Sequence, residues 1–415
     1  MIRIESKNDC CGCGACAQQC PKGCIAMVED EQGFRYPKVD LDLCVDCHLC
    51  EKVCPVINQS QSHEPVATYA AKNGNDTERM ASSSGGVFIA LAKRIIDEGG
   101  VVFGARFDDN WDVCHDYAET LDGVHSFQGS KYVQSRIGDT YRQAESFLRE
   151  GRKVMFTGTP CQIAGLRLFL RKDYATQLLL VDIVCHVTPS PLVWRDYLKY
   201  ITREKCVSVG VDAEHLKLSG ISFRDKRLGW EKYGFSVRYN SLLCGNGKRD
   251  AELFFEPSYN NVFMRGFLKD IYLRPSCYSC PAKSAKSGSD ITLADFWGVA
   301  SPYPQLYDEG GVSLLLANTA CGREFILSLS GVERHEVDFQ SALKHNPSIA
   351  HCVKRPVQAD TFWLRYPSEG IDCIVPIVSA MRPPLADRLK ESLRRNVRRL
   401  FGDTLSRKIK SLIKH

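Results

Sequence analysis

The chain has 415 residues, a length that suits two or three domains rather than one. Hydrophobic residues make up 44% and charged residues 25%, ordinary globular usage that excludes disordered, collagen-like and fibrous classes. The net charge of +5 is unevenly spread: residues 380–415 hold 11 Lys or Arg against 3 Asp or Glu, so a basic tail follows a nearly neutral body and no global nucleic-acid footprint exists.

Cysteine is the unusual component. There are 20, and ten of them precede residue 55. The start, MIRIESKNDCC, has no apolar segment of a secretory signal, and no run of eighteen apolar residues occurs. A cytoplasmic, reduced setting is therefore expected, in which dense cysteine means metal rather than disulfides.

The first element is an internal repeat. Cys10, Cys13, Cys16 and Cys20-Pro21 have the spacing C-x2-C-x2-C-x3-C-P, and Cys44, Cys47, Cys50 and Cys54-Pro55 repeat it. Zinc sites are usually built from separated pairs, whereas three cysteines at x2 spacing suit one corner of a cubane. In two-cluster ferredoxins the fourth cysteine of each run serves the other cluster. Cys10, Cys13, Cys16 and Cys54 are thus expected to hold one 4Fe-4S cluster, and Cys44, Cys47, Cys50 and Cys20 the second. Cys11 and Cys24 read as small packed residues nearby. GFRYPKVD between the runs is hairpin-like, and NQSQSHE at 58–64 is a linker.

From Pro65 the texture becomes strand and helix in alternation. Ser83-Ser84-Gly85-Gly86 precedes Phe88, Leu91, Ala92 and Ile95, one face of a helix whose start could bind a phosphate or simply carry a cap. VVFGARF is a strand. Lys153–Thr157 is a buried strand, Gly158–Cys161 its loop, Gln162–Leu170 a helix and Leu178–Val184 the next strand, an order that implies a parallel unit. Ile221–Arg224, Phe235–Tyr239, Ile291–Ala294 and Val312–Ala317 are further strand candidates. Neither G-x-G-x-x-G nor a P-loop motif is present.

Cys277-Tyr278-Ser279-Cys280 offers two more ligands. Cys161 and Cys185 each follow an expected parallel strand and would open at its carboxyl edge, where such sheets bind ligands. Spacing alone leaves this open between a third cluster and a lone cysteine pair with two core cysteines. Cys114, Cys206, Cys244, Cys321, Cys352 and Cys373 read as buried free thiols. Leu385, Leu389, Leu393, Val397, Leu400, Leu405, Ile409 and Leu412 recur near helical spacing among Arg and Lys, which makes a basic amphipathic helix. It suits docking on the body or a partner, or lying on an anionic membrane surface such as the inner face of the cell membrane.

Six segments taken together resemble the beta subunit of coenzyme F-420 hydrogenase and dehydrogenase, here behind a two-cluster ferredoxin domain. They are Ser83–Gly86, GSKY at 129–132, GTPCQ at 158–162, DIVCH at 182–186, ISFRD at 221–225, and CYSCP with the later DITLADFWG. The resemblance implies FAD and a third 4Fe-4S cluster on Cys161, Cys185, Cys277 and Cys280. It implies FAD contacts at Ser84, Gly85, Gly86, Lys131, Tyr132 and Thr159. The expected architecture is an α+β ferredoxin-like iron-sulfur domain (1–62), an α/β flavin-binding domain (63–375) and a basic amphipathic tail helix (376–415). The expected activity moves electrons between a deazaflavin-like hydride carrier and ferredoxin-type one-electron partners, through FAD and clusters. The alternatives are a polyferredoxin subunit without flavin and a ferredoxin-dependent reductase of a biosynthetic metabolite. No general base is expected, and His186 reads as structural.

Overall fold

The computed structural model describes residues 1–381 except 173, 175, 210–215 and 242–248, and the side chains of 208, 209, 241 and 249 are also outside the description. Residues 382–415, with nearly all of the expected tail helix, lie outside the described residues, as does Cys244.

The N-terminal segment contains one antiparallel hairpin, β1 (Ile25–Glu29) and β2 (Arg35–Val39). Short helices at Ala15–Gln19 and Leu49–Lys52 flank it and touch each other. The two cysteine loops are built alike. Gly12 and Gly14 both lie at φ +73, and their equivalents in the second loop, Asp46 and His48, lie at φ +50 and +58. These left-handed residues turn the loop so that Cys10, Cys13 and Cys16, and likewise Cys44, Cys47 and Cys50, border one cavity, a conformation that glycine adopts freely and Asp or His at a cost.

The body is an eight-stranded mixed sheet. Its strands are β3 (Ala67–Asn73), β4 (Val101–Phe107), β5 (Val113–Ala118), β6 (Val154–Gly158) and β7 (Leu178–Ile183), later joined by three more. Before those comes a separate antiparallel sheet of β8 (Leu218–Asp225), β9 (Gly234–Ser241) and β10 (Arg249–Pro257). Then β11 (Ile291–Asp295), β12 (Ser313–Ala317) and β13 (Val332–Glu336) complete the order β13-β3-β12-β11-β7-β6-β4-β5. The middle four, β11, β7, β6 and β4, are parallel, and the outer strands run antiparallel. Continuous apolar runs such as Val101–Phe103 and Val154–Phe156 are wholly buried because helices cover both faces.

Helix Val87–Asp97 covers one face through Val87, Leu91 and Ile95. On the other face, helices Thr140–Arg149 and Pro160–Leu170 share a core with Cys11, Cys13, Ala15 and Val53 of the N-terminal segment. The two cores are therefore continuous, and Gly165 gives way to the approach: a Cβ there would lie 3.0 Å from the Cys13 sulfur.

Two expectations are corrected here. Cys161 is helical, not in a loop: Thr159 and Gln162 form a capping box and Pro160 occupies the first turn, where its missing N–H costs nothing. Cys321 is exposed, because it lies in the first turn of the solvent-facing helix Ala320–Leu327. Cys206 and Cys373 are buried, and Cys114 and Cys352 half-buried.

Candidate functional site

The eight repeat cysteines divide between two cavities in a crossed pattern. Cys10, Cys13, Cys16 and Cys54 line the first, among Ile2, Met27 and Val56. Cys20, Cys44, Cys47 and Cys50 line the second, beside Cys24 and His48. Each fourth cysteine has crossed to the other loop. Burial pushes the Cys16 thiol up to about 12, and the neighbouring Cys10 and Cys54 push the same way. Burial likewise raises Cys54. Such a group of thiols gives up its protons only to bound cations, so the donor set fits an iron cluster. Among the described residues no three Cys, His, Asp or Glu converge on a single-ion position. The cysteines surround a cavity instead. The Ile2 amide donates to the Cys50 sulfur at 3.2 Å, the kind of bond that tunes a cluster.

A third group forms at the carboxyl edge of the parallel strands. Cys161 lies in the first turn of the helix after β6, Cys185 follows the adjacent β7, Cys277 lies within the 3-10 turn Pro275–Ser279 and Cys280 caps it. They act on one another: burial raises Cys185, with Cys277, Cys161 and Cys280 reinforcing it. Burial drives Cys277 to about 12 and Cys280 to about 11, again with Cys161 as a neighbour. Cys11 stands between this group and the first cavity, in hydrogen-bonding contact with Cys13 on one side and Cys161 on the other.

The six residues expected at FAD fall in two places. Ser84, Gly85 and Gly86 lead into helix Val87–Asp97, with Gly86 as its cap. The Ser84 hydroxyl donates to the Val312 carbonyl at 2.9 Å, and the Gly85 amide to the Ser313 hydroxyl at 3.0 Å. The Lys131 ammonium donates to the Gln128 and Gly129 carbonyls, both at 3.1 Å, and burial lowers it to about 7. Tyr132 stacks on Phe267 with ring centres 4.7 Å apart. Thr159 stands apart from these, its hydroxyl 3.3 Å from the Cys161 sulfur.

What binds the first group is Arg224, a residue of ISFRD for which sequence alone suggests no role. It is almost wholly buried and pairs with both Asp295 oxygens at 3.0 and 3.1 Å. It also donates to the Ser83 carbonyl and the Tyr132 hydroxyl, and its guanidinium lies over the Tyr233 and Trp297 rings. Lys226 next to it donates to the carbonyls of Arg79, Ser84 and Gly310.

A cavity of about 370 Å³ adjoins Cys185 and is also lined by Pro160, Asp182, Lys283, Asn318 and Phe339. Asp182 Oδ1 and Asn318 Oδ1 are buried, and neither has a hydrogen-bond partner among the described residues. Burial raises the Asp182 carboxyl to about 6, against the pull of the Ser287, Thr292 and Ser289 hydroxyls. The cavity is mainly apolar with a few polar side chains at its wall, the usual make-up of a small-molecule site. His186 bonds to Asp270 at 2.9 Å.

Crossed cysteine cavities on a small hairpin domain, packed on an α/β body, define an iron-sulfur protein of two-cluster ferredoxin type at its N-terminus. Residues 9–58 match the 4Fe-4S dicluster domain, and residues 151–340 match the C terminus of the coenzyme F420 hydrogenase/dehydrogenase beta subunit. By these matches the chain resembles that beta subunit over its middle and later part, with a dicluster domain in front. A component of the F(420)H(2) dehydrogenase of Methanosarcina mazei is 24% identical over 196 residues, 45% of this chain and 55% of that protein. The coenzyme F420-dependent sulfite reductase of Methanocaldococcus jannaschii is 29% identical over 179 residues, 40% of this chain and 26% of that one. The chain thus spans about half the length of the first relative and a quarter of the second. A chain of the F420-reducing [NiFe] hydrogenase complex from Methanosarcina barkeri superposes with a TM-score of 0.42 at 16% identity, over 69% of this chain and 91% of that one.

Proposed function

We propose that the protein is an oxidoreductase that links a two-electron hydride carrier of deazaflavin type to one-electron carriers, with FAD and three 4Fe-4S clusters. The observation that carries this reading is the third cysteine group, which stands between a ligand cavity and the ferredoxin cysteines. Cys10, Cys13, Cys16 and Cys54 would hold one cluster, Cys20, Cys44, Cys47 and Cys50 the second, and Cys161, Cys185, Cys277 and Cys280 the third.

A bound flavin supplies the conversion between a hydride and single electrons. The chain's own residues then have three tasks. Asp182, Asn318 and Lys283 would supply the polar part of the cavity wall for a bound ring, and Phe339, Leu343 and Ile349 would exclude water from it. The segments at 83–86 and 129–132 are held together by Arg224; Ser84, Gly85, Gly86, Lys131, Tyr132 and Thr159 remain the proposed contacts for the rest of FAD. Cys11 closes the space between the third group and the first cavity, which keeps the two clusters in direct succession.

The second cavity is the outer end of this succession. Cys47 is exposed there, among exposed Leu41, Leu43 and Val45. A ferredoxin-type or other redox protein would dock at this end. Among the described residues no helix is long and apolar enough to cross a membrane, and the tail's docking on a partner or a lipid surface is a separate proposal.

The test is the cofactor content of protein purified without oxygen. About twelve irons and one flavin per chain are expected (three cubanes). About eight irons without flavin would reduce the protein to its ferredoxin domain and favour the polyferredoxin reading. Full iron and flavin, with no reduction of the flavin by reduced deazaflavin, would favour the ferredoxin-dependent reductase.

A further inference from the structure

Arg274 is 1% exposed, yet among the described residues no carboxylate pairs with it. It sits immediately before the turn Pro275–Ser279, three residues from Cys277. Its side chain leaves the body and enters the ferredoxin domain. Nε donates to the Cys10 carbonyl at 2.8 Å and Nη2 to the Arg35 carbonyl at 3.0 Å. Nη1 donates to Gln134 Oε1 at 3.0 Å, and Nη2 lies 3.5 Å from the Cys10 sulfur. The Tyr36 ring lies 4.4 Å from the guanidinium carbon and the Phe34 ring 5.5 Å. Gly12 leaves the path open: a Cβ there would meet Nη1 at 2.8 Å.

An ionised group taken this far from water needs an opposite charge. Carbonyls and rings satisfy its hydrogen bonds but supply no full charge. The anionic candidates around it are Cys10, Cys11 and Cys277. One of these belongs to the first cavity, one to the third group, and Cys11 lies between them.

We infer that Arg274 is the shared counter-charge of the first and third clusters, a positioning residue that raises both reduction potentials while it clamps the ferredoxin domain to the body. The inference rests on the cluster reading proposed above. Reduction adds one negative charge to a cluster, and a fixed buried cation favours that state. A guanidinium suits the place, since it cannot lose its proton and its planar fork reaches three acceptors on two sides.

The experiment compares Arg274→Gln, Arg274→Met and Arg274→Lys with the unaltered protein. Iron is counted first. Each cluster is then titrated against potential by electron paramagnetic resonance, with Cys47→Ser used to identify the signal of the second cavity. In the two neutral variants the first-cavity cluster is expected to become at least tenfold harder to reduce, a fall of about 59 mV for one electron. The third cluster moves in the same direction, the second-cavity cluster stays in place, and Arg274→Lys stays near the unaltered values. Iron loading that fails in both neutral variants but succeeds with Lys also supports the charge. Unmoved potentials at full iron overturn the inference, as does an equal fall in all three clusters. A Lys variant that shifts as far as the neutral ones overturns it too, and failure of all three to load iron makes the residue merely structural. A count of about eight irons in the unaltered protein (two cubanes) instead refutes the third cluster itself, independently of Arg274.

Discussion

Arg224→Met should be among the most damaging single changes outside the cysteines. The side chain loses two charge-assisted bonds to Asp295, at 3.0 and 3.1 Å, and its position over Tyr233 at 4.0 Å. Asp295 is then left as a carboxylate with 18% of its side chain exposed and, among the described residues, one side-chain hydrogen bond, from the Trp230 N–H at 2.6 Å, with the Lys226 charge nearby. Breaking a buried pair by removing one partner costs about 3–5 kcal/mol. The loss of the ring contacts adds about 0.5–2 kcal/mol, and Met restores some of the apolar packing. A net loss near 4 kcal/mol follows. With a urea dependence of about 3 kcal/mol per molar, the unfolding midpoint falls by about 1 M.

The double variant separates charge from volume. Asn at 295 still accepts from Trp230 but carries no charge, and a buried ion pair replaced as a whole is often close to neutral. Arg224→Met with Asp295→Asn should therefore recover to within about 2 kcal/mol of the parent, whereas Asp295→Asn alone leaves the buried Arg224 unpaired and costs about 3 kcal/mol; the cycle then shows a coupling energy of about 5 kcal/mol, above the range usual for contacting residues. The assay is urea unfolding followed by circular dichroism at fixed iron content. A loss below 1 kcal/mol for Arg224→Met, or a cycle that closes at zero, would refute the view that this pair holds the four motif segments together.

Three other outcomes follow from buried and exposed groups. His115 is fully enclosed between the Ser135 hydroxyl and the Thr157 carbonyl, and burial lowers it to about 4. Because its folded value lies below that of the unfolded chain, its contribution is intact above pH 6.5 and is lost as pH falls toward 4, by about 3 kcal/mol in all; His115→Gln, which can make the same two bonds, should flatten that part of the stability curve. Asp182 is shifted the other way, to about 6, so its ionisation destabilises the fold above that pH; Asp182→Asn should raise the neutral-pH unfolding midpoint by an amount that shrinks as pH falls through 6 toward 4, and no gain at pH 7.5 would contradict its desolvation. An iron chelator should remove about four irons first (one cubane), from the second cavity, since Cys47 is exposed while Cys10 and Cys13 are buried; simultaneous loss from all sites would show that the cavities do not differ in access.

What could be read from the residues, and what could not, divides by sequence distance. The crossed cavities were legible because each cysteine loop is a local object, and its repetition 34 residues later supplies the partner. The strand–helix–strand unit around Cys161 was legible for the same reason, down to the placement of Cys161 and Cys185 at one edge. Its one error, Cys161 in a loop, came from Pro160, which stops a helix but also starts one. Cys321 was misread because cysteine is usually buried and nothing local marks the outer face of its helix. The small sheet of β8, β9 and β10 was seen only as scattered strands.

Arg224 and Arg274 were not legible at all as structural centres, although both lie in or beside the motif segments. Hydropathy treats a buried arginine like a surface one, and what distinguishes these two is the identity of acceptors far along the chain. Arg224 reaches residues 71, 92 and 141 positions away, and Arg274 residues 140, 239 and 264 positions away. The same holds for Asp182 and Asn318, whose significance is an unfilled bond rather than a contact. The motif segments are thus of two kinds. GTPCQ, DIVCH and CYSCP place cysteines at one sheet edge. The serine-glycine segment, GSKY, ISFRD and DITLADFWG meet at a single guanidinium, so their joint presence reflects a mutual packing requirement. The cycle at Arg224 and Asp295 measures that requirement directly, apart from any cofactor.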